Sequence, residues 1–288
     1  MFVIIGTMVV LASVAGGFLM SHGNLLALWQ PNELLVIGGA AFGAFLISNP
    51  GKIIRAVGKG LPSLLRKGRY DKSMYLDLLS MLYQLFNKMR KDGLVAIESD
   101  IDEPENSAIF REYPAILANH HAMDFLSDYL RMMISSNLDA NQLESLMDVE
   151  LETHHQESNQ ASVALTKVSD ALPGFGIVAA VLGVVITMSY IGGDPAELGH
   201  HVAAALVGTF LGILLSYGFI GPMSIALEHQ ARDEAKFLEC IKVCILAVVN
   251  GYNPSVVIEF GRKVLFSNER PSFSELESHI KDRKTAEA

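Results

Sequence analysis

The sequence predicts an all-α integral membrane protein that crosses the bilayer four times, its two inner helices extending into a helical cytoplasmic domain. Three observations carry this expectation. Half of the 288 residues are hydrophobic, 18% are charged and the mean hydropathy is +0.32, which is too apolar for a soluble domain with a solvated surface. Four segments are long and apolar enough for a hydrocarbon core about 30 Å thick. Lys and Arg gather on one side of those segments.

The first segment, Phe2 to Met20, carries no charge. It lacks a basic leader and a small-residue cleavage site, so it reads as a retained span rather than a secretory signal. Leu34 to Ser48 is the second span, short but extended by neutral flanks; Ala171 to Ile191 and Val202 to Pro222 are the third and fourth. After the second span come Lys52, Arg55, Lys59, Arg66, Lys67, Arg69 and Lys72, opposed only by Asp71, whereas Ser21–Glu33 and Gly192–His201 contain no Lys or Arg. Positive residues stay inside, which places both termini and the long middle segment in the cytoplasm. Trp29 and Tyr190 fall at outer span ends, as interfacial aromatics or as ordinary packing residues. Four regions follow: 1–49, the first two spans; 50–170, cytoplasmic; 171–222, the inner spans; and 223–288, a cytoplasmic extension and tail.

Small residues recur within the spans. Gly39 and Gly43, and Gly208 and Gly212, are spaced G-x-x-x-G, and Gly176 recurs at Gly183. Such spacing lets helices approach closely in lipid, where hydrophobicity does not drive association. No Asp, Glu, Lys, Arg or His lies within the four spans; Glu33, Asp170, His200 and His201 stand at their edges. Ion pathways need titratable groups, so this chain either moves no ion or walls a pathway whose titrating group belongs to another polypeptide.

In the cytoplasmic parts, Met74, Leu78, Met81, Leu82 and Leu85 recur at helical spacing. That helix runs into a charge cluster, Arg90, Lys91 and Asp92 followed by Glu98, Asp100, Asp102, Glu103 and Glu105, which either meets a partner or faces solvent. A second helical pattern starts near Asn141, and Leu238, Ile241, Ile245 and Val248 form a narrow stripe for another helix. Asn250–Pro254 breaks the pattern, and Lys281–Ala288 reads as a polar frayed tail. Cys240 and Cys244 read as buried thiols in a reducing compartment. His154 and His155 face different directions on a helix, so no metal site is expected there. A net charge of −9 argues against nucleic acid. Pro173 and Pro222 sit at matching depths at the cytoplasmic ends of the inner spans, as boundary marks or as two kinks forming a hinge.

The segments RKDGLVAIESDI, LMDVELETH, LPGFGIVAAVLGVV, LVGTFLGILLSYGFIGP and EFGRKVLFSNERPSFSELE closely resemble the MotA family of flagellar stator subunits across nearly the whole chain. Ile97 stands where leucine is usual. The span motifs are shared with ExbB- and TolQ-like proteins, while the charge cluster and the tail from Glu259 to Glu277 are more specific. The resemblance implies a non-enzymatic, ion-conducting role without metal or cofactor. It implies a pentamer around the helices of a MotB dimer, whose aspartate carries the ion, working against the rotor protein FliG. Arg90 and Glu98 would be the rotor contacts, Pro173 and Pro222 the coupling hinge, and Ala180 and Thr209 the ion-pathway lining. Sodium-using relatives carry threonine where this chain has Ala180, which favours protons because a hydroxyl replaces part of a cation's water shell. Alternatives are an ExbB- or TolQ-like energiser of outer-membrane processes, for which three spans are usual, and a passive membrane scaffold.

Overall fold

The computed structural model describes residues 2–65, 68–136 and 138–286, with side chains through Arg283. Arg66 and Lys67 of the basic block, and the last two residues of the tail, lie outside the described residues. The described elements are helical, and four of them are long and apolar enough to cross a membrane.

Two compact units divide the chain. The first comprises Met1–Lys67 and Ser158–Gln230. It begins with α1 (Phe2–Met20), none of whose side chains is buried within the chain. Helix α2 (Pro31–Ser48) starts on Pro31, whose missing N–H costs nothing at a first helical position, three residues before the expected span. Pro50 then caps α3 (Gly51–Ser63), an amphipathic helix that turns Val57 inward and leaves Lys52, Arg55 and Lys59 exposed. Val57 and Phe45 pack with Ala161, Ala164 and Leu165 of α9 (Ala140–Met188) and with Leu227 of α11 (Gly221–Val249). Ile37 and Ala41 pack with Leu172 and Ala179. The fourth crossing begins earlier than expected, because Asp194 caps α10 (Pro195–Leu215) by accepting the Ala196 N–H at 3.0 Å.

The second unit comprises Gly68–Glu157 and Ala231–Ala288. Its core is the α4 stripe (Lys72–Asp92), in which Met74, Leu78, Met81, Leu82 and Leu85 are all buried, as the periodicity requires. Short helices α5 (Glu98–Asp102), α6 (Ala108–Arg111) and α7 (Pro114–Leu117) lead into α8 (His120–Ser135). Leu238, Ile241 and Ile245 of α11 are buried, and Phe237 meets Tyr70 and Tyr75 at ring-centroid distances of 5.0 and 5.7 Å. Cys240 and Cys244 are free, buried thiols beside α12 (Pro254–Val264). A Cβ at Gly261 would fall 2.5 Å from Cys244 Sγ, so that position has no room for one. Contact with Cys244 and burial push the Cys240 thiol well up, which suits packing rather than reactivity.

The tail is more ordered than its composition suggests. Helix α13 (Phe273–Ala286) reaches into the stretch expected to fray, as far as Ala286. It starts with a capping box: Glu275 N–H donates to Ser272 Oγ, and the Ser272 N–H donates to Glu275 Oε2 at 2.6 Å. Further along, His279 and Arg283 both reach Asp77 on α4, at 3.1 and 3.2 Å.

Candidate coupling site

Proline deprives a helix of the N–H that would bond the carbonyl four residues earlier. For Pro173 that carbonyl belongs to Ser169, and α9 nevertheless continues through this point without a break. The partner comes from the neighbouring span. Ser216 Oγ donates to Ser169 O at 2.7 Å, and Ser169 Oγ returns a bond to Ser216 O at 3.1 Å. Ser216 opens a π-helical turn, Ser216–Ile220, directly before Pro222. Within it the Gly221 N–H bonds Ser216 O, a wider ladder that accommodates the proline ring and the hydrogen bond it lacks. The expected pair of kinks is therefore one π turn in the fourth span and one carbonyl rescued from across the helix pair.

The polar contacts continue away from the clamp. Ser162 Oγ donates to Ser224 O at 2.9 Å, Thr166 Oγ1 to Ser224 Oγ at 3.1 Å, and Ser224 Oγ to Gly221 O at 2.9 Å. Ser162, Ser169, Ser216 and Ser224 are all buried. The residue classes singled out in the sequence were prolines and glycines; these hydroxyls were missed, although Ser162, Thr166 and Ser169 already share a helical face by spacing.

Glycines bring the two spans together here. A Cβ on Gly212 would lie 2.8 Å from Leu172 O and 2.9 Å from Gly176 Cα, and one on Gly183 would lie 2.7 Å from the Ala205 Cβ. Gly39 and Gly43, by contrast, meet nothing within 4 Å in the chain. Ala180 and Thr209 are both half-buried beside this contact. Thr209 Cα lies 3.4 Å from where a Gly176 Cβ would sit, and Ala180 follows Gly176 by one turn. The opposite side of α9 is open, with Ile177, Val181, Val184 and Val185 each about half exposed or more.

Glu33, an edge residue by sequence, lies against the fourth span. Its Oε2 would be 2.7 Å from a Gly208 Cβ, and that atom is buried without a hydrogen-bond partner. Gly208 leaves the space the carboxylate occupies.

In the second unit the charge cluster divides in two. Lys88 Nζ pairs with the buried Asp100 at 2.6 Å, and Ser107 Oγ donates to the same carboxylate at 2.7 Å. Arg131 holds Asp102 at 3.0 Å. These groups brace the turn that follows α4, where Gly93 takes φ 91° and Ile97 is fully buried. Arg90, in the last turn of α4, and Glu98, the first residue of α5, are exposed and make no ion pair among the described residues. The tail motif from Glu259 is likewise internal bracing: Arg262 is buried, bonds Glu259 at 2.7 Å and the Pro271 carbonyl at 3.1 Å, and pairing with Glu259 pushes its guanidinium further up.

Residues 4–93 match the motility protein A N-terminal family and residues 118–239 the MotA/TolQ/ExbB proton channel family. The chain is 48% identical over 281 residues to motility protein A of Salmonella typhimurium, covering 98% of this chain and 95% of that protein. The chain belongs to the motility protein A family. It is also 34% identical to chemotaxis protein LafT of Vibrio parahaemolyticus, over 97% of this chain and 98% of that one. The fold matches the C. jejuni MotAB structure with a TM-score of 0.78 at 20% identity, over 94% of this chain and 98% of that chain. It matches the flagellar MotAB stator complex from Bacillus subtilis with a TM-score of 0.72 at 23% identity, over 96% and 98%. The role is that of a multi-pass ion-channel subunit of a flagellar stator, not of an enzyme, and the ExbB- or TolQ-like alternative is not favoured.

Proposed function

We propose that copies of this chain form a pentameric ring around the membrane helices of a MotB-type dimer in the bacterial inner membrane, with both termini cytoplasmic. Protons pass along a carboxylate supplied by the partner, and the ring works against a FliG-type rotor. The observation that carries this reading is the third span. It is packed backbone to backbone on the fourth by Gly176 and Gly212, it contains no Asp, Glu, Lys, Arg or His, and it keeps a broad apolar face open on its other side. Such a span suits a wall that needs another helix and another chain's carboxylate. Lipid covers α1, which buries nothing within the chain. Ala180 and Thr209 line the path, and the absence of a hydroxyl at Ala180 favours protons over sodium.

Pro173 and Pro222, tied through Ser169 and Ser216, couple ion occupancy to movement of the region beyond the inner spans. Arg90 and Glu98 deliver that movement to the rotor, since their neighbours Lys88, Asp100 and Asp102 are engaged internally and these two are not. Charge reversal tests this. An exposed pair contributes about 0–1 kcal/mol, so neutralising one residue should slow swimming without blocking assembly. Glu98→Lys should be worse, and an opposite reversal on the rotor should restore part of the speed. Normal swimming with Arg90→Glu and Glu98→Lys, singly and together, in an assembled complex would remove the rotor assignment.

A further inference from the structure

We propose that His121, His154 and Glu234 form a binding site for a divalent transition metal of the Zn(II) class. The three residues come from three helices of the second unit, His121 from the first turn of α8, His154 from α9 and Glu234 from α11. Their donor atoms all lie within 4.8 Å of one another. His121 Nδ1 is 3.0 Å from Glu234 Oε1, and His154 Nε2 is 3.6 Å from the same oxygen. Zinc–ligand bonds of about 2.0–2.1 Å at tetrahedral angles require donors about 3.3 Å apart, so the two distances bracket the required spacing. The rings meet edge to face, with centroids 5.6 Å apart and planes at 81°, an arrangement in which the two nitrogens converge on the carboxylate without stacking.

Burial divides the site into a fixed base and an open mouth. Side-chain exposure is 20% for His154 and 26% for Glu234, against 67% for His121. A cation entering past His121 would take three protein ligands and keep a fourth position for water. Glu150 and Glu157, one turn before and one turn after His154 on α9, add negative potential around it. Two imidazoles and one carboxylate select against Ca(II) and Mg(II), which take oxygen ligands in larger number, and against thiophilic ions, which want Cys or Met. Zn(II), Co(II), Ni(II) and Cu(II) fit the donor set. A bound ion would join α8, α9 and α11 by coordinate bonds where the metal-free chain has a His–Glu–His contact.

The sequence hides this site because His154 stands beside His155, which invites a reading of the adjacent pair alone. The donors that join His154 are brought from distant helices instead.

The test uses the full-length chain purified in detergent, stripped with a chelator and titrated with Co(II) while visible absorption is recorded. One equivalent should give the intense ligand-field bands of a four-coordinate ion, and Zn(II) should abolish them by displacement. His121→Ala, His154→Ala and Glu234→Gln should each weaken binding more than tenfold, whereas His120→Ala and His155→Ala, at neighbouring positions outside the cluster, should change it less than twofold. Thermal unfolding gives an independent readout: Zn(II) should raise the Tm of the parent chain and of His155→Ala but not that of Glu234→Gln. The proposal fails if no saturable Co(II) signal appears, if the signal survives Glu234→Gln and His121→Ala, or if Zn(II) leaves the parent Tm unmoved. Any of these results would make the cluster a hydrogen-bonded brace only.

Discussion

Substituting Ser216 by alanine removes one hydrogen bond whose worth can be worked out from its surroundings. The Ser216 hydroxyl donates at 2.7 Å to Ser169 O, a carbonyl left without its helical donor because residue 173 is proline. The return bond from Ser169 Oγ to the Ser216 carbonyl does not need the lost hydroxyl and should persist. Leaving a buried acceptor unpaired costs about 1–3 kcal/mol, while interhelical bonds in membrane proteins average about 0.6 kcal/mol because the unfolded chain also finds partners. Ser216 is almost fully buried and the Ser169 carbonyl has lost its helical donor, so a value above that average is expected, about 1–2 kcal/mol. The cause is checked by a second substitution. Pro173→Ala restores an N–H aimed at Ser169 O, so in that background Ser216→Ala should cost only about 0.5 kcal/mol, a coupling of about 1 kcal/mol. Reversible unfolding of the four proteins in mixed micelles supplies the cycle. If the two substitutions add to within about 0.3 kcal/mol, Ser216 does not serve the carbonyl that Pro173 orphans, and the coupling argument built on it falls.

Gly212→Ala should destabilise the helix pair by about 1–3 kcal/mol, since its Cβ would meet Leu172 O and Gly176 Cα, both backbone atoms; Gly39→Ala, with nothing within 4 Å, should leave the isolated chain unchanged in the same unfolding assay. At the tail, the Lys72 ammonium, the Ser272 N–H and the Ser272 hydroxyl hold the Glu275 carboxyl down at about 2. A carboxyl lowered on folding contributes stability that is present above its ordinary value of 4.5 and is lost as the pH falls toward about 2. Protease cleavage within α13 should accordingly rise across that window, and Ser272→Ala should shift the rise to higher pH; a flat profile would show that the capping box does not hold the helix. Topology is read by single cysteines at the exposed positions Asn24, Glu197 and Asn106 in a chain lacking Cys240 and Cys244. An impermeant thiol reagent should label the first two from outside intact cells and spare the third, and the reverse pattern would invert the orientation.

Legibility from sequence followed the strength of each periodic signal. The four spans, the α4 stripe and the α11 stripe were readable because long apolar patterns leave few alternatives. The short helices between Glu98 and Leu117 were not, since each is a single turn fixed by tertiary contacts such as Asp100 with Lys88 and Ser107. Composition misled at the tail, where Asp77 anchors His279 and Arg283 and the helix persists through Ala286. Glu33 reads as an edge residue along the chain, and its approach to Gly208 is a tertiary contact that spacing does not show. The prolines were legible as special, but what satisfies them was not. A carbonyl freed on one helix is a backbone property, and its partner was an ordinary-looking serine on another.

The glycine stripe and the serine contacts are one device, because a serine side chain is too short to reach a neighbouring backbone unless the helices nearly touch. Gly176 and Gly212 bring the two backbones that close, and Ser216 lies one turn beyond Gly212, where its hydroxyl comes within 2.7 Å of Ser169 O. Close approach therefore precedes rescue of the carbonyl that Pro173 frees, and the π turn before Pro222 aims Ser216 at it. This order has a consequence for paired substitutions. If the backbones must approach before the hydroxyl can act, Gly212→Ala already breaks the Ser216 bond, and adding Ser216→Ala should cost almost nothing more. Independent glycine packing and serine bonding would instead give a double variant whose loss equals the two single losses combined.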